Sequence, residues 1–176
     1  MDSSEAVPSS DDFARGTALS GAELWMLSAE AQLKRASRSA DRDKFPTCLS
    51  EVRLETADLE LCLVALVRFR RAFVLLSDLH PDLPESPFLR RFDEASSGLR
   101  TLRDVAEHWD KYARGAGRVS PEQQRGRRYQ WGPDGVVVHG GGRSVNVTRA
   151  VESARAIVDW LRDALNYSPL PPVADP

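Results

Sequence analysis

Cysteine and histidine are scarce in this chain: two cysteines and three histidines among 176 residues. A disulfide-stapled scaffold is thereby excluded. Cys48 and Cys62, if carried on one helix, would stand about 21 Å apart at 1.5 Å per residue, beyond the reach of a bridge, and are expected to be buried thiols in a reducing compartment. No Cys-His or multi-carboxylate cluster suggests a metal, and no cofactor is expected. Charge of one sign is also lacking, since 24 Lys and Arg face 26 Asp and Glu, for a net charge of -2. Any nucleic-acid site must therefore be a local basic patch. No uninterrupted apolar run reaches membrane-spanning length, and the polar, acidic start MDSSEAVPSSDDFARG has neither the basic opening nor the apolar core of a secretion signal. The expectation is a soluble, cytoplasmic protein without a membrane partner. Its length suits one domain with a core of its own.

What is present is helical periodicity. Residues 1–19, rich in Ser, Asp and Glu, read as a disordered lead, and the fold is expected over 20–167, with 168–176 as a disordered tail. Ser20-Gly-Ala-Glu23 matches a capping box and opens a helix to about Arg38. After a polar linker ending at Pro46, one long helical pattern runs from about Thr47 to Leu79, with Leu49, Val52, Leu59, Leu63, Leu66, Val67, Phe73 and Leu76 as core positions. Its middle is apolar nearly all round, so several neighbours or a second copy of the chain should cover it. Arg68, Arg70 and Arg71 interrupt the run and argue against a membrane span.

His80-Pro81 stops that helix. Ser86 and Pro87 suit an N-cap and first helical position, opening a short helix through Phe92 that slackens at Ser96-Ser97-Gly98. Residues 115–128 form a basic stretch in which Arg118, Arg125, Arg127 and Arg128, with Arg114 just before it, face the single acid Glu122. It reads either as a solvated connection or as a phosphate-contacting arm. RYQW, VVVH and SVNV are short strand-like runs separated by Gly-Pro-Asp-Gly and Gly140-Gly141-Gly142, punctuation of a small antiparallel hairpin or meander. The triple glycine lacks the Gly-Lys-Ser/Thr of a phosphate loop, and His139 falls at a strand end. A last helix is expected from about Thr148 to Asn166. The fold class is all-α: a four- to five-helix bundle with a small antiparallel β-hairpin before the C-terminal helix.

The densest chemistry lies in LRTLRDVAEHWDKYARG, residues 99–115. At about 100° per residue, Leu99, Leu102, Val105, Ala106, Trp109, Tyr112 and Ala113 share one apolar stripe. Arg103 and His108 then fall on the two flanks of the polar face, each free to lean toward a partner helix. Trp109 and Tyr112 lie on the stripe and read as core. An imidazole titrating near neutrality suits proton transfer, and a guanidinium offers a fixed charge and a planar fork to a phosphate. Asp104, at i, i+4 from His108, is spaced to orient the imidazole. Glu107 lies within the same reach of Arg103, which leaves a plain surface ion pair as the competing reading.

Arg103 to His108, RDVAEH, resembles the signature of the HEPN superfamily, helical-bundle proteins whose catalytic members carry Arg, four to six residues, then His, commonly with a polar residue directly after the arginine, the place of Asp104. The resemblance implies a metal-independent endoribonuclease, a toxin or defence component, in which a ribose 2′-hydroxyl attacks the adjacent phosphate at a site composed by a homodimer. Arg103, Asp104 and His108 would be catalytic, and Arg114, Arg118, Arg125, Arg127 and Arg128 would hold RNA. An antitoxin protein would be a further partner. The tyrosine that toxin members controlled by a nucleotidyltransferase commonly carry two residues after the histidine is here Asp110, with Tyr112 two further on. The alternative is a non-catalytic HEPN-like module binding nucleotide, RNA or a partner protein.

Overall fold

The computed structural model of the chain describes residues 10–40, 49–107 and 128–165. Among these, five helices and one three-stranded antiparallel sheet form a helical bundle with its strands just before the final helix, as the sequence pattern predicts. Helices α1 (Ser10–Ala40) and α2 (Leu49–Leu79) lie antiparallel as a long hairpin. Contacts along their length fix the register. Arg15 Nε donates to the Leu79 carbonyl at one end (3.2 Å), Cys62 Sγ to the Ala29 carbonyl in the middle (3.3 Å), and Arg35 pairs with Asp58 at the other (3.0 Å). Small residues Ala18, Ala22 and Ala29 on α1 let Leu59, Leu63, Leu66, Phe69 and Leu76 of α2 pack closely, and all are buried.

Helix α1 begins at Ser10, ten residues before the expected start at Ser20, so residues 10–19 are helix rather than disordered lead. Burial of Ala18 and Leu19 against the rest of the bundle offsets the ordering of this largely polar segment. Ser20 is interior to the helix and caps nothing. Glu23, the expected capping glutamate, is instead buried and pairs with Arg162 at 2.8 Å.

Two short helices follow, α3 (Leu89–Ala95) and α4 (Leu99–Glu107). Ser86 and Pro87 do not cap α3 as expected. The Ser86 hydroxyl accepts from the Phe88 amide (3.3 Å) in a turn that precedes the helix, and Phe88 takes the N-cap place. Phe92 of α3 meets Phe69 of α2 with ring centroids 5.3 Å apart, a tilted aromatic contact. The chain breaks at Ser96–Gly98 because β3 passes there. A Cβ at Gly98 would stand 2.7 Å from the Ser144 carbonyl oxygen, closer than such atoms come.

The sheet runs β1 (Arg128–Gly132), β2 (Gly135–Gly140) and β3 (Arg143–Asn146), in that order. Gly141 and Gly142 form the second turn with φ of 60° and 71°, the left-handed pair a two-residue hairpin requires. Val136, Val138 and Val145 face the core. On the same face Tyr129 and Trp131 reach α2, where Tyr129 Oη donates to Glu60 and Trp131 Nε1 to Glu55, each at 2.6 Å. Helix α5 (Val147–Ala164) then crosses the hairpin, with Ile157, Val158 and Leu161 buried and Arg155 and Arg162 paired to Glu30 and Glu23 of α1. Asn146 caps α5 by accepting from the Arg149 amide (2.9 Å), and the Thr148 hydroxyl accepts from the Val136 amide (3.0 Å). Both residues belong to an Asn-Val-Thr run, which here serves the fold.

The all-round apolar middle of α2 is covered by α1, α4 and α5 except along its outward face. There Leu54, Leu61 and Leu75 are exposed, and the Arg68 guanidinium lies over the Trp25 ring, 5.2 Å from its centroid. Among the described residues no helix is long and apolar enough to cross a membrane.

Candidate nucleic-acid interface

Burial of Leu99 and Leu102 against α2 sets the rotation of α4. Arg100 and Arg103, one position on from each leucine, are then carried to the flank that faces the Val67–Arg71 turn of α2. The result is a cleft of ≈ 620 Å³ with arginines on both walls: Arg70 and Arg71 from α2, Arg100 and Arg103 from α4. Val67 and Leu99 line its apolar part, and Ser96 and Ser97 its end at the break between α3 and α4.

Arg103, expected on a flank of the polar face and free to lean toward a partner helix, lies against α2 with only 16% of its side chain exposed. Its Nε donates to Asp104 Oδ1 at 3.1 Å, and a second guanidinium nitrogen contacts the same oxygen. The Asp104 carboxylate therefore faces the arginine, and the side chain of Glu107 lies outside the described residues. Arg70 is anchored differently, with Nε and Nη2 on the two oxygens of Asp93 at 2.9 and 3.0 Å, a bidentate pair that ties α2 to α3. Arg71 and Arg100 are exposed, and among the described residues no carboxylate pairs with either. Guanidinium groups stay charged at any physiological pH, so the cleft carries four fixed positive charges against Asp93 and the neighbouring Asp104. Such a concavity attracts anions.

Of the residues singled out in the sequence, His108, Arg114, Arg118, Arg125 and Arg127 lie outside the described residues. Arg128 opens β1, exposed, across from His139 of β2, and with Gln130 it borders a shallow depression on the sheet. It is not part of the Arg103 cleft. A third hollow, on the other side of Ser97, has Arg91 and Arg149 balanced by Glu94 and Glu152. The sequence reading missed Arg70, Arg71 and Arg100 as site residues. Their signal was a pair of i, i+3 arginine repeats, RFRR at 68–71 and RTLR at 100–103, whose juxtaposition depends on how α2 and α4 pack.

Cys62 is inert by its surroundings, since burial pushes its thiol up to about 12. No protein-family model, curated protein or solved structure matches the chain.

Proposed function

We propose that the chain is a HEPN-like, metal-independent endoribonuclease, a toxin or defence component that acts as a homodimer. His108 transfers the proton, and Arg103 stabilises the charge that grows on the phosphate as the ribose 2′-hydroxyl attacks it. The observation that carries the reading is the setting of Arg103, withdrawn from solvent into an arginine-walled cleft where a phosphate would meet concentrated positive charge. The outward leucines of α2, Leu54, Leu61 and Leu75, support the second copy. Arg114, Arg118, Arg125, Arg127 and Arg128 would extend the grip on RNA.

The test is cleavage of single-stranded RNA by purified protein in excess chelator. His108→Ala and Arg103→Ala should each remove most of the activity, and Lys111→Ala should cut like the parent. A His108→Ala protein as active as the parent would refute the assignment. A second reading, a non-catalytic HEPN-like module that binds nucleotide, RNA or a partner protein, is favoured by the contact between Arg103 and Asp104, which already occupies one edge of the guanidinium. RNA bound but left intact would select it.

A further inference from the structure

The cleft extends beyond Arg103. Arg70 and Arg71 follow one another on α2, Arg100 precedes Arg103 by three positions on α4, and the two helices present these turns to the same hollow. Of the four, Arg70 and Arg103 are engaged by Asp93 and Asp104, whereas Arg71 and Arg100 stand exposed with no carboxylate partner among the described residues. Ser96 lines the same cleft; its residue is only 8% exposed, and its hydroxyl has no hydrogen-bond partner among the described residues. A buried hydroxyl without a partner is costly. With two unneutralised guanidinium groups lining the same cleft, it describes a place that is completed by an anion with several acceptor oxygens.

We infer that Arg71, Arg100 and Ser96 form a second phosphate subsite, which holds a phosphodiester of single-stranded RNA next to the one that meets Arg103. The inference rests on reading Arg103 as a phosphate-facing residue, and it does not depend on cleavage. The cleft volume of ≈ 620 Å³ lies within the about 300–1,000 Å³ of sites that enclose small ligands, enough for a short run of a single strand. Recognition through phosphate oxygens would position the strand without reading its bases.

The experiment uses a fluorescent 2′-O-methyl oligoribonucleotide, whose blocked 2′ oxygen cannot attack, and follows its anisotropy with the full chain over a range of salt. The parent should bind it, and Arg71→Gln/Arg100→Gln should weaken binding at least tenfold and flatten the dependence of log Kd on log salt by about 1.4, the loss of two single-strand phosphate contacts at about 0.7 each. Arg71→Lys/Arg100→Lys, which keeps the charges, should restore most of the slope. A DNA strand of the same sequence should respond to the double variant in the same way, because the phosphates are shared. Arg90→Ala, on the exposed side of α3 where Arg90 pairs with Glu94, should leave the slope unchanged, and thermal midpoints check that each variant is folded. A folded Gln variant with the parent's affinity and slope overturns the inference, as does a parent that binds neither strand. Binding with the expected slopes but no cleavage of ordinary RNA retains the subsite and removes the ribonuclease.

Discussion

Arg70 and Asp93 face each other with two parallel bonds, at 2.9 and 3.0 Å, across the mouth of the arginine cleft. The pair joins α2 to α3 and also places against the positive wall the one carboxylate that lines the cleft among the described residues. Asp93→Asn should therefore do two opposite things. Both partners are partly exposed, so stability should fall by no more than about 1 kcal/mol, while affinity for a single-stranded RNA probe should rise about threefold at low salt as the local field becomes more positive. Anisotropy titration and a urea melt of the same preparation check both, and weaker RNA binding would show that the cleft is not the anion site.

Glu23 and Arg162 make a more buried pair, with the Glu23 carboxylate side chain 10% exposed. Glu23→Ala leaves the guanidinium on α5 with Asp159, at 3.3 Å, as its acid partner among the described residues. The expected loss is about 2–3 kcal/mol, below the about 3–5 kcal/mol of a fully buried pair because Arg162 keeps some contact with water. Urea denaturation measures it. A loss under about 0.5 kcal/mol would mean that the α1–α5 contact is looser than described.

Gly98→Ala tests the scaffold of the cleft. The added methyl would meet backbone, the Ser144 carbonyl at 2.7 Å and the Ser144 amide at 3.0 Å, and backbone cannot swing aside as a side chain can. An overpacking cost of about 1–3 kcal/mol is expected, with weaker RNA binding because β3 must move off the Ser96–Ser97 end of the cleft. A denaturant midpoint equal to the parent's contradicts this packing.

Cys62 provides a pH-dependent readout. Its folded value lies near 12, above the ordinary 9.0, so the native state holds the proton more tightly than the unfolded chain. The stability this contributes is fully present below about pH 9 and is lost as pH rises toward 12. In a Cys48→Ser background the thiol should resist a disulfide reagent at pH 8 until the protein unfolds. Rapid labelling of the native protein would contradict its burial.

Much of this architecture is written locally. The unbroken periodicity of α2, the paired glycines of the sheet turn and the apolar side of α5 each report on their own segment. The start of α1 does not, because residues 10–19 are mostly polar or small and lack a periodic apolar stripe. Their helical role comes from Ala18 and Leu19 meeting partners elsewhere in the chain. The cleft is equally hidden. Arg70 and Arg71 look like interruptions of an apolar helix and Arg100 like a solvated flank, and only the packing of α4 on α2 brings them to Arg103. The resemblance of RDVAEH named Arg103 and Asp104 from sequence, whereas the withdrawal of Arg103 from solvent depends on the rotation set by Leu99 and Leu102.

The proposed function requires that RNA be cut by 2′-hydroxyl attack without a metal. The most direct measurement is incubation of the purified protein with a mixed set of single-stranded RNAs in excess chelator, followed by analysis of the new 3′ ends. Fragments ending in cyclic phosphate are expected, lost in His108→Ala and retained in Lys111→Ala. RNAs that remain intact with and without added metal would contradict it.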